Sequence, residues 1–501
     1  MKKRLYPFPA LISGLFSAQI LASIHVYLSN TSLFHTLYAL KDAGYLTIPN
    51  RQIMQNLNDF SPAFCGGVFF SLSLGAGLSV FTLITVQLWD CLFKRSRMIF
   101  ILISALLTCL IAGVNISGFL PIATSYFIVI PAVVFITALK WIPVRTGKND
   151  LLKEIIRIAP VILLTLLWTT QMDRNMFQDI RDNLLLSNSA GLMINDFYYK
   201  YTLYPAQVIK SQEQKTLKTC CLKNIRDKRL ADLLETKLTE FDYLNLPENS
   251  AVDMEIDKAG NTLIFKKRRA ALKVKLRDFL SNPGGVLKKF SFKCDRYRFF
   301  RKFTFVSFLV GFPVILYIIC YGIFFFILSL FWGPGSSEAL SSVLCFLIGV
   351  GLFIPVYQGR EEGVKNLNDL AVTNNLEVIL ESRRWQERVA GLKIIEQKRM
   401  DPAAFRAYRG LLQSPYIQER CRLVTTILNS GRPETYEDLI NFLDDPSPNV
   451  SCMAFYVLGL RGDKRAVYEI LKRIKTSDHW YKQWYAYRAL KALGWRQTGS
   501  E

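Results

Sequence analysis

Histidine is scarce in this chain, and the short motifs of the common enzyme classes are missing. The three histidines, His25, His35 and His479, lie far apart in the sequence. The patterns HExxH, paired CxxC, GxxxxGK[ST] and GxSxG do not occur, so metalloprotease, structural zinc, P-loop nucleotide and serine-hydrolase sites lack their minimal parts. We therefore expect no enzyme activity, no bound metal and no cofactor. His25 lies on the first apolar segment, as either a helix-packing residue or a buried functional group.

The ten cysteines do not follow the spacing of a metal site or of a disulfide framework. Several lie in apolar segments or on helical patterns, where a thiol packs as a small hydrophobic group. Cys220, Cys221 and Cys294 are the three that could form a bridge, and they could do so only outside the cytoplasm.

Acidic residues are nearly missing between positions 266 and 302, where fourteen lysines and arginines face only Asp278 and Asp295. A long apolar segment follows directly, and basic residues beside a membrane helix usually orient it and attract anionic lipid head groups. This reading is favoured over nucleic-acid binding, which the run also permits. The candidate lipid-binding residues are Lys266, Lys267, Arg268, Arg269, Lys288, Lys289, Arg298 and Arg301.

Long apolar segments dominate the first 357 residues, and 51% of the whole chain is hydrophobic. A bilayer core needs roughly 20 apolar residues per helix, so this pattern predicts a polytopic membrane protein. The segment 158–172 is short for a span and contains Pro160. Charged residues are almost missing from the segment interiors, which disfavours an ion-coupled carrier. The first predicted span is an apolar run that ends near residue 28. The others are 66–88, 98–117, 119–140, 303–332 and 339–357.

Small residues recur every four positions in the second span, at Gly67, Ser71, Gly75 and Ser79. Such a stripe lies on one face of a helix and lets another helix approach closely. We expect these four residues to pack inside the bundle; a substrate path is the alternative.

Basic loops predict which ends of the spans face the cytoplasm. Lysines and arginines cluster at the N-terminus, at 94–97 and at 140–157, which the positive-inside rule places in the cytoplasm. The turn at 333–338 is too short for anything but a helical hairpin, so the polar region before it and the chain after it share one side. Basic flanks favour the cytoplasm for both, which gives six spans. The alternative of seven spans places both regions outside.

A helical pattern recurs from about Leu376 onwards. Gln386-Glu387-Arg388 returns as Gln418-Glu419-Arg420, each followed by apolar residues at helical spacing. Asp445-Pro446 precedes Val450, Ala454 and Leu458-Gly459, and a last unit ends in Leu493-Gly494. We interpret the spacing from Leu458-Gly459 to Leu493-Gly494 as the period of the repeats. Trp480, Trp484 and Trp495 of the last unit are candidate partner-binding residues, because aromatic residues are favoured at binding hot spots. Alternatively, they cap the apolar end of the repeats.

These repeats resemble HEAT-like repeats over roughly the last quarter of the chain. The unit around Asp445-Pro446 and Leu458-Gly459 carries the resemblance best, and no family is identified for residues 1–357. The resemblance implies an α-solenoid whose units stack on their neighbours and present a protein-binding surface.

We therefore predict a mainly α protein with a transmembrane helix bundle, a small mixed α/β insert and a C-terminal HEAT-like α-solenoid. A β-hairpin is expected within 251–267 of the insert. The predicted function is a scaffold or accessory subunit in a bacterial inner (plasma) membrane, with membrane lipids and proteins as partners. The alternative is a transport or lipid-handling component with regulatory repeats; a membrane-embedded enzyme ranks third. The predicted boundaries are 1–172, 173–302, 303–357 and 358–501.

Overall fold

A computed structural model describes residues 7–91, 93–141, 150–173, 175–368 and 376–498. The fold is mainly helical with one small mixed sheet and a C-terminal region of short paired helices. Side chains are not described for 150–158 and 360–368. The N-terminal lysines and arginine, the 142–149 part of the basic segment 140–157 and the 369–375 part of the predicted repeat domain lie outside the described residues.

The chain divides into two compact units, each built from separated segments. The first unit contains residues 1–36, 56–170 and 204–350. The second contains residues 37–55, 171–203 and 351–501, so two earlier segments join the C-terminal repeats. The four consecutive regions expected from the sequence remain a prediction.

Long apolar helices fill the N-terminal part of the chain. They are α1 Pro7–Asp42, the short α2 Arg51–Gln55, α3 Phe60–Phe70, a π-helix Ser71–Gly75, α4 Ala76–Cys91, α5 Arg97–Asn115, α6 Pro121–Trp141 and α7 Asp150–Thr169. The chain continues without a break from α3 through the π-helix into α4, and these three pieces together have the length of one span.

The polar region that follows combines helices with a five-stranded sheet. Its elements are α8 Met176–Ile180, a π-helix Arg181–Leu185, α9 Ser189–Tyr201, α10 Leu203–Ile209, β1 Lys218–Lys223, α11 Lys228–Thr239, β2 Tyr243–Asn245, β3 Met254–Ala259, β4 Thr262–Lys267, β5 Ala270–Lys275, α12 Leu276–Ser281 and α13 Pro283–Cys294. The strand order is β2-β1-β3-β4-β5, with β1 parallel to β2 and β3 and the other neighbours antiparallel.

The predicted β-hairpin is confirmed: β3 and β4 pair antiparallel, with Ala259 opposite Thr262. Gly260 lies in the turn with φ +59°, a conformation that glycine adopts without steric cost. One face of the sheet packs on α11, α12 and α13 around Leu234, Ile256 and Phe265, which are fully buried. The insert therefore has a hydrophobic core of its own.

Two more long helices precede the repeats: α14 Arg298–Leu328 and α15 Pro334–Asn368. They are joined by residues 329–333. The turn was expected at 333–338, but residues 334–338 belong to the first turns of α15. By length and composition, six helices of the described chain could cross a membrane: α1, the α3–α4 helix, α5, α6, α14 and α15. The apolar part of α7, Ala159–Thr169, is shorter.

Glycine and serine residues bring the long helices of the first unit close together. A Cβ atom at Gly67 would lie 3.0 Å from the backbone nitrogen of Ser23, and one at Gly75 would lie 2.4 Å from Cβ of Ala18. Ser71 donates a hydrogen bond to Oε1 of Gln19 (2.7 Å). Ser79 on α4 lies against Gly14 on α1: its Oγ is 2.2 Å from where a Cβ atom of residue 14 would stand. The predicted stripe thus faces α1.

The helices α4 and α14 also approach each other closely. A Cβ atom at Gly311 would lie 2.5 Å from the backbone nitrogen of Gly77, and one at Gly77 would lie 2.3 Å from Cβ of Ser307. Because the obstacle at Gly311 is backbone, a rotamer change cannot relieve it. Small residues at this crossing are a packing requirement.

We expect Gly311→Ala to destabilise the bundle by about 1–3 kcal/mol, because the added methyl group overpacks the crossing with α4. Thermal unfolding in mild detergent measures the effect. Gly351→Ala is the matched control, since a Cβ there meets nothing within 4 Å and the melting temperature should not fall. Equal melting temperatures for the two variants would contradict this packing.

Candidate interaction surfaces

The described part of the C-terminal region, residues 376–498, contains four helix pairs. The first helices are α16 Leu376–Leu380, α18 Tyr408–Leu412, α20 Pro433–Phe442 and α22 Ala466–Thr476; the second helices are α17 Trp385–Gln397, α19 Ile417–Ile427, α21 Pro448–Arg461 and α23 Trp480–Ala492. Successive second helices start about 32 residues apart, which matches the recurrence of Gln-Glu-Arg and the size of a helical repeat.

The spacing between the two Leu-Gly pairs was the wrong measure of this period. Gly459 lies inside α21, where a Cβ atom would stand 2.9 Å from Cα of Ala489. Gly494 instead follows α23 with φ +85°, and its structural counterpart is Gly462, at the end of α21 with φ +76°. One glycine permits close helix packing and the other ends a helix, so the two pairs are not equivalent.

Arginines at the start of the second helices join successive repeats. Arg388 donates to Oε1 of Glu419 from Nε (3.0 Å) and Nη2 (2.5 Å), and its Nη1 donates to the carbonyl of Ser382. Arg420 repeats the arrangement one unit later with Asp445 (2.8 Å) and the carbonyl of Ser414. Both carboxylates are buried. Each arginine thus links the turn before its own helix to an acidic residue of the next repeat.

The last repeat changes the interpretation of its tryptophans. Trp480, the first residue of α23, is 5% exposed, and this burial favours the capping role over contact with a partner. Trp484 is half-buried with the Arg488 guanidinium 4.8 Å above its ring, and half-buried Trp495 packs on Tyr487 at 6.2 Å.

The loop after α1 docks on this last repeat. The side-chain amide of Asn50 donates to the carbonyls of Ile474 (2.9 Å) and Ser477 (2.8 Å), at the C-terminal end of α22. Its backbone N–H donates to Oε1 of Gln483 (2.7 Å). Leu46 and the side chain of Gln497 exchange two hydrogen bonds of 2.9 and 2.8 Å. We call residues 45–54 the docked loop.

The segment 176–203 also lies against the second helices of the repeats. Gln418 of α19 donates to the carbonyl of Asp182 (3.0 Å), and the hydroxyls of Thr202 and Tyr481 are 2.8 Å apart. The rings of Tyr199 and Tyr481 are 5.0 Å apart. Burial lowers the pKa of His479 to about 4, so this residue is neutral near pH 7 and its Nδ1 can cap α23. Two segments of the chain thus occupy this side of the repeats.

Other parts of the repeats remain exposed. Tyr456 and Leu460 lie one turn apart on α21 and are 44% and 51% exposed, and Tyr468 on α22 is 71% exposed. Large apolar side chains at such exposure are candidates for contact with a partner. We call these three residues the repeat patch.

The candidate lipid-binding residues separate into two groups. Lys266 pairs with Asp257 (2.6 Å), Lys267 with Asp253 (2.9 Å) and Arg301 with Asp295 (2.5 Å), so these three stabilise the insert. Burial alone would raise the pKa of Asp253, but Lys215 and Lys267 hold it below its usual value. Five residues are exposed: Arg268 and Arg269 in the β4–β5 turn, Lys288 and Lys289 on α13, and Arg298 at the start of α14.

Arg298 stacks on an exposed aromatic side chain. Its guanidinium lies 4.5 Å from the ring centre of Phe292, which is 64% exposed. Phe292, Lys288 and Lys289 share the outer face of α13, while Val286, Leu287 and Phe290 face the core. We call Lys288, Lys289, Phe292 and Arg298 the basic face.

Buried polar groups also occur among the long helices. His25 is 3% exposed, its Nε2 lies 3.2 Å from the hydroxyl of Tyr297, and the rings of Phe70, Tyr126 and Phe300 surround it at about 6 Å. Within the described residues, Nδ1 of His25 and the hydroxyl of Tyr126 have no hydrogen-bond partner. Among all the residues that the structure describes, no three or more histidine, cysteine, aspartate or glutamate side chains lie together so that they could hold a metal ion.

We expect Trp480→Ala to lower the melting temperature markedly, since truncating a buried aromatic side chain typically costs about 3–5 kcal/mol. Tyr468→Ala is the matched control, because Tyr468 is exposed and its loss should change stability by no more than about 0.5 kcal/mol. Thermal unfolding followed by circular dichroism measures both. An unchanged melting temperature for Trp480→Ala would instead restore its role as a contact residue.

Comparison with known proteins agrees with the geometry of the repeats. Residues 408–494 match the family model of HEAT repeats, which covers the last three helix pairs. No curated protein and no solved structure matches the chain. The C-terminal region therefore contains HEAT repeats.

Proposed function

We propose that the chain is an integral membrane protein that acts as a scaffold or accessory subunit, with its HEAT repeats binding a protein of a membrane-associated complex. HEAT repeats suggest a protein-interaction or scaffold role. The repeat patch supports this role, because it offers apolar side chains that the docked loop and segment 176–203 leave exposed. This proposal makes no use of catalytic chemistry.

The exposed faces of the long helices support membrane integration. On α5, Met98, Ile101 and Leu102 are 62–73% exposed, and on α14, Phe305, Val306 and Val310 are 54–61% exposed. Soluble monomers rarely expose contiguous apolar surface on this scale. Lipid would cover these side chains, and helices of 19 residues or more are long enough to reach across a bilayer core of about 30 Å.

We expect full-length protein purified in mild detergent to retain a protein partner, and the triple variant Tyr456→Ala, Leu460→Ala, Tyr468→Ala to lose it. Mass spectrometry of the purified material identifies the partner, and thermal unfolding shows whether the variant stays folded. Leu233→Ala on α11 is a control, since Leu233 is exposed at 43% on another element. A triple variant that keeps every partner would contradict partner binding by the repeat patch.

We also propose that the basic face contacts anionic lipid head groups. Arg298 is the first residue of a candidate span, so Phe292 and the nearby lysines come within reach of the head groups. Aromatic and basic side chains on one face are typical of helices that lie in the membrane interface. Each basic residue near an anionic leaflet contributes about 1 kcal/mol, screened over roughly 10 Å at 0.1 M salt.

We expect anionic lipid to raise the melting temperature of full-length protein, and less so for Lys288→Gln, Lys289→Gln, Arg298→Gln. The effect should shrink as salt increases. Arg226→Gln, Lys228→Gln, Arg229→Gln is a matched control that removes the same charge from exposed positions around the start of α11. Equal stabilisation of both variants, or equal effects of neutral and anionic lipid, would contradict the proposal.

One observation favours the alternative, a transport or lipid-handling component. Ionisable groups inside candidate spans are rare and usually functional. His25 on α1 lies beside the ring of Tyr126 on α6 and the hydroxyl of Tyr297, which precedes α14. Retention of all partners by the repeat-patch variant would shift the assignment to this cluster.

A further inference from the structure

The docked loop has a topological consequence if the long helices cross a membrane, as proposed above. Ile48, Asn50, Ile53 and Met54 are at most 6% exposed, and the loop is hydrogen-bonded to the last repeat. Contacts of 2.7–2.9 Å between Asn50 and the last repeat are incompatible with a bilayer core of about 30 Å between them. The loop and the repeats must share one side.

We infer that the chain crosses the bilayer seven times and places its repeats on the side opposite the N-terminus. With 36 residues, α1 is about 54 Å long, enough to cross and to carry the docked loop to the far side. Between the loop and the repeats, the number of crossings must be even. The α3–α4 helix, α5, α6, α14 and α15 supply five, so α7 must be the sixth.

A second contact, within the first unit, requires the same crossing. Nη2 of Arg296 donates to the carbonyl of Phe119 (2.5 Å), and Arg296 lies beside Gly118. The α5–α6 loop that holds Phe119 follows three crossings. Arg296 directly precedes α14 and reaches the same side only if two more crossings, α6 and α7, come between.

The dimensions and packing of α7 allow it to cross. It has 20 residues, or about 30 Å, although only Ala159–Thr169 is continuously apolar. Leu164 lies against Gly349 of α15, where a Cβ atom would meet its side chain at 2.6 Å. A span this short is accommodated by local thinning of the bilayer at a modest cost.

The basic loops then give the orientation. The near side carries the N-terminal cluster and the 94–97 loop, which the positive-inside rule places in the cytoplasm. The insert and the repeats therefore lie outside the cytoplasm, since long domains cross despite their charge. A protein that binds the repeat patch is to be sought in that compartment or on the outer surface of another membrane protein.

Reporters inserted into the full chain test this arrangement. A reporter active only in the cytoplasm should be active within residues 93–96 and inactive within 248–250 and at the C-terminus; a reporter active only outside should give the reverse pattern. Equal signals at 93–96 and 248–250 would overturn the seven-span arrangement. The internal pair decides the question even if a C-terminal fusion disturbs the repeats.

Two controls separate this inference from the proposed function. Alkaline carbonate washing tests integration alone: release of the chain from membranes refutes the membrane assignment, whichever side the reporters indicate. Asn50→Ala tests the contact, because loss of three carbonyl-capping bonds should make the docked loop several-fold more sensitive to protease added from outside. Wild-type sensitivity in that variant, or cleavage only from the cytoplasmic side, would count against the docked loop.

Discussion

The side chain of Asn50 joins the docked loop to the last repeat within the second unit. Its amide nitrogen satisfies carbonyls at the end of α22 that the helix itself leaves without donors, and its Oδ1 accepts from the N–H of Ile53 (3.4 Å), at the start of α2. One residue thus caps two helices more than 400 positions apart. Because Asn50 is buried, any loss of these bonds would leave several polar groups without partners, which is costly away from water.

The repeats could be predicted from the sequence because their stabilising contacts recur with it. Gln-Glu-Arg marks the start of a second helix, and the structure shows the reason: Arg388 and Arg420 each reach an acid of the following repeat. A buried charge is tolerated only with its partner, so the arginine and the acid occur as a set. The recurring motif is therefore explained by stacking of the repeats and by itself indicates no ligand.

The long apolar helices and the β3–β4 hairpin were also predictable, since each depends on neighbouring residues, whereas the turn between α14 and α15 was expected a few residues too late. The docked loop was not, because its partners Gln483 and Gln497 lie far along the chain and no periodic pattern announces them. The same limit applies to Trp480: aromatic character is visible in a sequence, whereas its orientation depends on how α23 packs. The period predicted from the Leu-Gly pairs is wrong for a related reason. Gly459 and Gly494 each follow a leucine, but they have different structural roles.

The internal contacts of the repeats also constrain where a partner can bind. A solenoid whose second helices were free would offer their whole surface, but here Gln418, Tyr481 and Gln483 already bind other segments of the chain. Displacing those segments would expose buried polar groups, so a partner gains more by binding surface that is already exposed. The second helices thus bind segments of the chain itself, and the repeat patch is the exposed surface that we propose for another protein.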